Sequence, residues 1–134
     1  MIDVLSQATH NFVQHQLNLS SSEENKADSA EFFHANIDLM HDGETKPADF
    51  YYTNEFIQLV SEALLGEQSH DLESIKDLVG ETTNLIAGSA KTIAQNAFDI
   101  GIPNYIGKID KMPESGTYRA FSIDNKVMLG IALQ

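Results

Sequence analysis

Apolar residues recur at helical spacing from the start of the chain. Ile2, Val4, Leu5, Ala8, Phe12 and Val13 share one face, so residues 3 to about 17 are expected to form an amphipathic helix. Residues 19–29, LSSSEENKADS, are polar and free of aromatics and read as a loop, or as a mobile turn on a sheet edge. The period then changes to two: Phe33, Ala35, Ile37 and Leu39 alternate with His34, Asn36 and Asp38, as in a half-buried strand. Asp42-Gly43 and Pro47 mark a turn, and the short aromatic run 48–53 should pair back as a hairpin.

Thr53 or Asn54 can cap a helix with FIQLVSEALL as its body and Gly66 as its left-handed stop. A further helix begins near Ser69 or Asp71 and runs to about Asp99, with Gly80 and Gly88 inside it and Gly101 and Pro103 ending it. NYIGKID, TYRAFSI and VMLGIAL then read as a three-stranded antiparallel meander, with KMPESG and Asp124-Asn125 as its turns. The expected fold is α+β, with helices packed on a mainly antiparallel sheet in the order α-β-β-α-α-β-β-β. At this length, residues 1–134 are expected to form one domain.

On a wheel of about 100° per residue, Ile75, Leu78, Val79, Leu85, Ile86, Ala90, Ile93 and Ala97 fall on the expected core face of the long helix. The opposite face collects Asp77, Glu81, Asn84, Gly88 and Gln95. Glu81 and Asn84 are three apart, a spacing that lets two side chains engage one small target. Gly88 is one turn beyond Asn84. An exposed mid-helix glycine is unfavourable unless something approaches the backbone there. A solvated polar face is the plainer explanation of this pattern, and no other glutamate in the chain is followed by asparagine three residues on.

Composition narrows the chemistry. Hydrophobic residues at 42% are ordinary for a folded protein, while the formal net charge of −12 disfavours nucleic acid and anionic membranes as partners. The absence of cysteine removes disulfides, thiol nucleophiles and thiolate metal sites. MIDVLSQATHNF lacks the basic start of a secretory signal, and no apolar run is long enough to cross a membrane, so a cytoplasmic location is expected. The histidines His10, His15, His34, His41 and His70 show no metal-ligand spacing, and Ser20-Ser21-Ser22 lacks a nucleophile context. No cofactor of the chain's own is expected.

The run DLVGETTNLIAGSA resembles the helix signature of the CheC/CheX/FliY family of chemotaxis phosphatases: Asp or Ser, then Glu, then Asn, then a small residue a turn later. Asp77, Glu81, Asn84 and Gly88 match it in register, and Pro103 takes the place of the proline such signatures carry downstream. The resemblance implies a phosphatase acting on the aspartyl phosphate of a phosphorylated CheY-like response regulator. It implies that Asn84 orients the attacking water and that Glu81 pairs with the regulator's active-site lysine. Asp77 and Gly88 would then serve docking, and the Mg2+ would be the regulator's own.

Longer relatives carry a signature on two helices. Here the matching positions of the first helix are Asp3, Gln7 and His10, so one site per chain is expected, as in the CheX branch, whose members are dimers. The near-continuous apolar run 127–133 must be either central in a sheet or a covered edge, and a two-fold dimer built through the C-terminal strands is expected. Two other readings stay open: a module of the same fold that binds a regulator or flagellar component without hydrolysis, and a structural domain.

Overall fold

The computed structural model describes residues 1–24, 31–113 and 116–133. Part of the polar segment 19–29 lies outside them. Among the described residues three helices, α1 (Ile2–Leu17), α2 (Asn54–Leu65) and α3 (Leu72–Ile93), accompany seven strands. The strands are β1 (Ser22–Glu24), β2 (Phe32–His41), β3 (Glu44–Tyr52), β4 (Asp99–Ile100), β5 (Asn104–Ile109), β6 (Thr117–Ile123) and β7 (Lys126–Leu133). Every pairing is antiparallel. The order of the main elements is the expected one, with β1 and β4 as short additions.

The hairpins form for local reasons. Asp42 and Gly43 close β2–β3 with φ of 49° and 77°, and Asp124 and Asn125 close β6–β7 with φ of 54° and 63°. Two successive positive φ values give the turn whose twist matches flanking strands, and Gly, Asn and Asp tolerate them best. The alternation in β2 also holds, with Phe33, Ala35, Ile37 and Leu39 all buried.

The assembly differs from a simple meander. The hairpins meet along β3 and β7 at the centre of the sheet. After α1, β1 pairs with β6; after α3, β4 and β5 pair with β2. The chain therefore traces one path twice: a long helix, a strand given to the other half's hairpin, then a hairpin, with α2 as the link. β5 consequently lies at the edge beside β2 and not beside β6. Just after β5, Met112 is buried on the sheet face away from the main core, among Phe32, Tyr51, Ala120 and Ala132. Gly130 makes room for it, since a Cβ there would collide with the Met112 sulfur.

β7 lies between β3 and β6, so its apolar run is paired on both sides and needs no second chain to cover it. The edges of the sheet, among the described residues, are β1 on one side and β4 and β5 on the other. β7 therefore offers no free edge to which a second copy could add a strand.

The main core lies between the sheet and the helices, with Leu5, Val13, Phe50, Tyr52, Phe56, Val79, Ile86 and Ile131 fully buried. Among the described residues, no helix is long and apolar enough to cross a membrane.

Candidate functional site

The outer face of α3 is usable because its inner face is fixed. Asp71 caps the helix, its carboxylate accepting the Ser74 N–H at 3.1 Å, and hydrogen bonding from the Ser74 side chain, then from its N–H, holds the Asp71 carboxyl below its ordinary pKa. The buried stripe is Ile75, Leu78, Val79, Thr82, Thr83, Ile86, Ala87 and Ala90. Expected core residues Leu85, Ile93 and Ala97 are exposed instead. Thr82 and Thr83 take core positions because each hydroxyl donates to the carbonyl one turn back, at 2.7 Å to Leu78 and 2.8 Å to Val79, leaving the methyl to pack.

Thr83 also joins the helix to the sheet. Its hydroxyl hydrogen is used on Val79, so the fully buried Tyr52 hydroxyl must donate to Thr83 Oγ1, at 2.8 Å. Burial pushes the Tyr52 phenol far above its ordinary pKa, so it stays a donor. Tyr52 stacks on Phe56 at 5.7 Å, tying β3 and α2 to α3 one residue before Asn84. Tyr52→Phe should lower stability by about 1 kcal/mol, measured by denaturant unfolding. No change in midpoint would mean that the bond does not hold α3.

The helix ends at Ile93, earlier than the glycine and proline signals suggest. Gln95 and Asn96 adopt φ of 56° and 61°, and the Asn96 N–H bonds to Lys91 O at 2.9 Å. Asparagine here supplies the left-handed stop for which glycine is the commoner residue.

Asp77, Glu81 and Asn84 are all exposed on the outer face, and Gly88 is half-buried. Glu81 and Asn84 make no hydrogen bond or ion pair among the described residues, and neither does Asp77. A Cβ added at Gly88 would meet nothing within 4 Å, and the same holds at Gly80. Gly80, Asn84 and Gly88 follow at four-residue spacing, so Asn84 has bare backbone one turn away in each direction. Gly80 belongs to this face. The spacing was available in the sequence, where its helix-weakening effect masked it.

The equivalent face of α1 is engaged with its own chain. Asp3 accepts from Arg119 Nη2 at 3.0 Å, Gln7 donates to Asn11 at 3.0 Å, and His10 contacts Ser21 Oγ at 2.5 Å and Glu23 Oε1 at 3.3 Å. The other histidines are equally occupied where bonds are found: His34 pairs with Asp49 at 2.8 Å and His41 donates to Ala97 O at 2.6 Å. Among the described residues no three His, Asp or Glu side chains come together as a metal site.

A family model described as chemotaxis phosphatase CheX matches residues 50–124, which include all of α2 and α3. No curated protein is matched by sequence. Among solved structures, the chemotaxis protein CheX of Vibrio vulnificus shares the fold with a TM-score of 0.79, at 17% identity over 99% of this chain and 95% of that one. A CheC-like superfamily protein from Shewanella sp. PV-4 follows at a TM-score of 0.75 and 20% identity, over 99% and 96% of the two chains. CheX of Borrelia burgdorferi, in a complex with CheY, BeF3 and Mg2+, gives a TM-score of 0.66 at 19% identity over 99% and 97%. These identities speak to fold alone. The family model covers more than half of the chain, and the protein belongs to the CheC/CheX/FliY family of chemotaxis phosphatases, in its CheX-like branch.

Proposed function

We propose that this chain, as one domain, hydrolyses the aspartyl phosphate of a CheY-like response regulator. The observation that supports this reading best is the pairing of Glu81 and Asn84. They stand one helical turn apart, exposed and without partners of their own among the described residues, on a helix whose other face is locked into the core. Unpaired polar groups on a rigid base are ready for an external target at little ordering cost.

In the proposed reaction a water oxygen attacks the phosphorus of the acyl phosphate, and the bond from phosphorus to the aspartyl oxygen breaks. The products are the regulator's free carboxylate and inorganic phosphate, with the water proton passing to phosphate or solvent. The transition state is loose, so positioning and charge stabilisation carry most of the catalysis. Asn84 suits such a role because its amide takes no proton at neutral pH, while its carbonyl and NH2 can hold and orient one water. Glu81 would bind the regulator's lysine, and Asp77 and Gly88 would line the landing surface. Mg2+ would be held by the regulator, as the Borrelia complex with CheY contains Mg2+. The protein would work in the cytoplasm, where such regulators act.

The decisive experiment measures loss of label from phosphorylated CheY-like regulators with and without the protein. Faster loss supports the reading; binding without faster loss favours a non-catalytic module.

A homodimer belongs to the same proposal, through a different edge from β7. Among the described residues β5 is paired on one side only, by β2, and Ile106 and Ile102, in and just before it, are 53% and 82% exposed. Ile106→Lys is expected to shift light-scattering mass from about twice the 14.8 kDa chain to one chain. A native protein that is already monomeric removes the dimer.

A further inference from the structure

A groove of about 330 Å3 runs between the end of α2 and the first half of α3, lined by Leu64, Leu65, Ser74, Asp77, Leu78 and Glu81. Leu64 is 38% and Leu65 58% exposed. Leu59, five residues before Leu64 on α2, packs on the main core, but Leu64 and Leu65 are not among the side chains that do so. Two adjacent leucines left open in the last turn of a helix are not accounted for by the fold.

The charges beside them are one-sided. Asp77 and Glu81 line the groove, and neither has an ion-pair partner among the described residues. Lys76, the cation nearest in sequence, is engaged elsewhere: its ammonium lies 3.6 Å from Glu73 and 5.6 Å from the Tyr105 ring centroid. The surface therefore offers apolar contact next to uncompensated negative charge. It complements a partner that presents a lysine or arginine beside an apolar side chain.

We propose that this groove is the docking shelf for the activated regulator, taking an apolar side chain that neighbours the lysine bound by Glu81. The proposal rests on the reading of Glu81 and Asn84 given above. It adds the residues that supply affinity and fixes the partner's direction along the helix. At about 1.5 Å per residue, Asp77 to Gly88 spans roughly 16 Å. The groove lies on the Asp77 side of Glu81 and the bare backbone of Gly88 on the other. The partner would then lie lengthwise on α3, with its phosphoryl group near Asn84 and its apolar contact on Leu65. A chain of net charge −12 gains nothing from long-range attraction to a phosphoryl-bearing surface, so a local apolar contact of this kind would carry the binding.

The test uses the full chain and a panel of CheY-like receiver domains activated with beryllofluoride and Mg2+, with binding followed by fluorescence anisotropy. Leu65→Ser is expected to weaken binding about tenfold, as removal of one half-exposed leucine contact should. Leu65→Met should restore most of it. With the same receivers phosphorylated, KM should rise for Leu65→Ser while kcat stays at the native value. Leu65 is exposed, so an unchanged circular dichroism spectrum and melting temperature are expected. Equal affinity of the native and Leu65→Ser proteins overturns the groove assignment and leaves the phosphatase reading standing. A loss of kcat with unchanged affinity overturns it too. Receivers that bind in a Leu65-dependent way but are never dephosphorylated would uphold the groove and refute the phosphatase reading. Failure of every receiver to bind the native chain refutes both.

Discussion

Asn84→Ala is expected to lower the turnover of a phosphorylated regulator by about a hundredfold or more while changing its affinity little. Asn84 is exposed and bonds to nothing among the described residues, so its removal leaves the fold intact. The reaction depends on holding one water in line with the breaking bond, and misplacement by about 1 Å can cost a hundredfold. An effect confined to kcat is the signature of a contact made in the transition state and not in the ground state. Glu81→Ala should behave differently, raising KM and lowering kcat together, because its partner is the regulator's lysine in both states. Glu81→Gln separates shape from charge: it keeps the length and should lose most of the binding. Single-turnover measurements at saturating protein check all three. A loss of less than a few-fold in both Asn84→Ala and Glu81→Ala would remove the phosphatase assignment.

The outer face of α3 was legible in the sequence because it depends on spacing within one helix. Asp77, Glu81, Asn84 and Gly88 needed only the helical period to be placed together. The tight turns at Asp42-Gly43 and Asp124-Asn125 were legible for the same reason, since their conformations are local. What failed was long range. KMPESG resembles a hairpin turn, and nothing near it tells that β5 is claimed by β2, some seventy residues earlier. That pairing follows from the exchange of strands between the two halves, with Met112, just after β5, seated over Gly130. The apolar run of β7 could be central or a covered edge, because periodicity cannot say how many neighbours a strand has; it is central. Thr82 and Thr83 were missed as core for a chemical reason: a threonine scores as polar until its hydroxyl is seen to bond the preceding turn. Asn96 was missed as a helix stop because glycine and proline lay close behind it. The shared helix face was therefore more legible than the topology that supports it.

Gly88→Leu is expected to abolish docking of the activated regulator while leaving the protein folded. Gly88 is half-buried, one turn beyond Asn84, and a Cβ there would meet nothing within 4 Å. The isolated chain therefore has room for a side chain, and its absence leaves helix stability unrealised. Gly88→Ala should raise stability by up to about 1 kcal/mol on helix propensity, read as a higher denaturation midpoint. The same alanine adds one methyl to the landing surface and should weaken binding only partly. Leucine fills the turn and holds the partner's backbone away from Asn84 and Glu81. The two variants thus move stability and binding in opposite directions. A glycine packed against the core would instead lose both together. Melting curves for Gly88→Ala and Gly88→Leu, taken with anisotropy titrations against a beryllofluoride-activated receiver, separate the cases. If Gly88→Leu binds like the native protein, the partner does not lie over this turn, and the lengthwise placement along α3 from Asp77 to Gly88 falls with it.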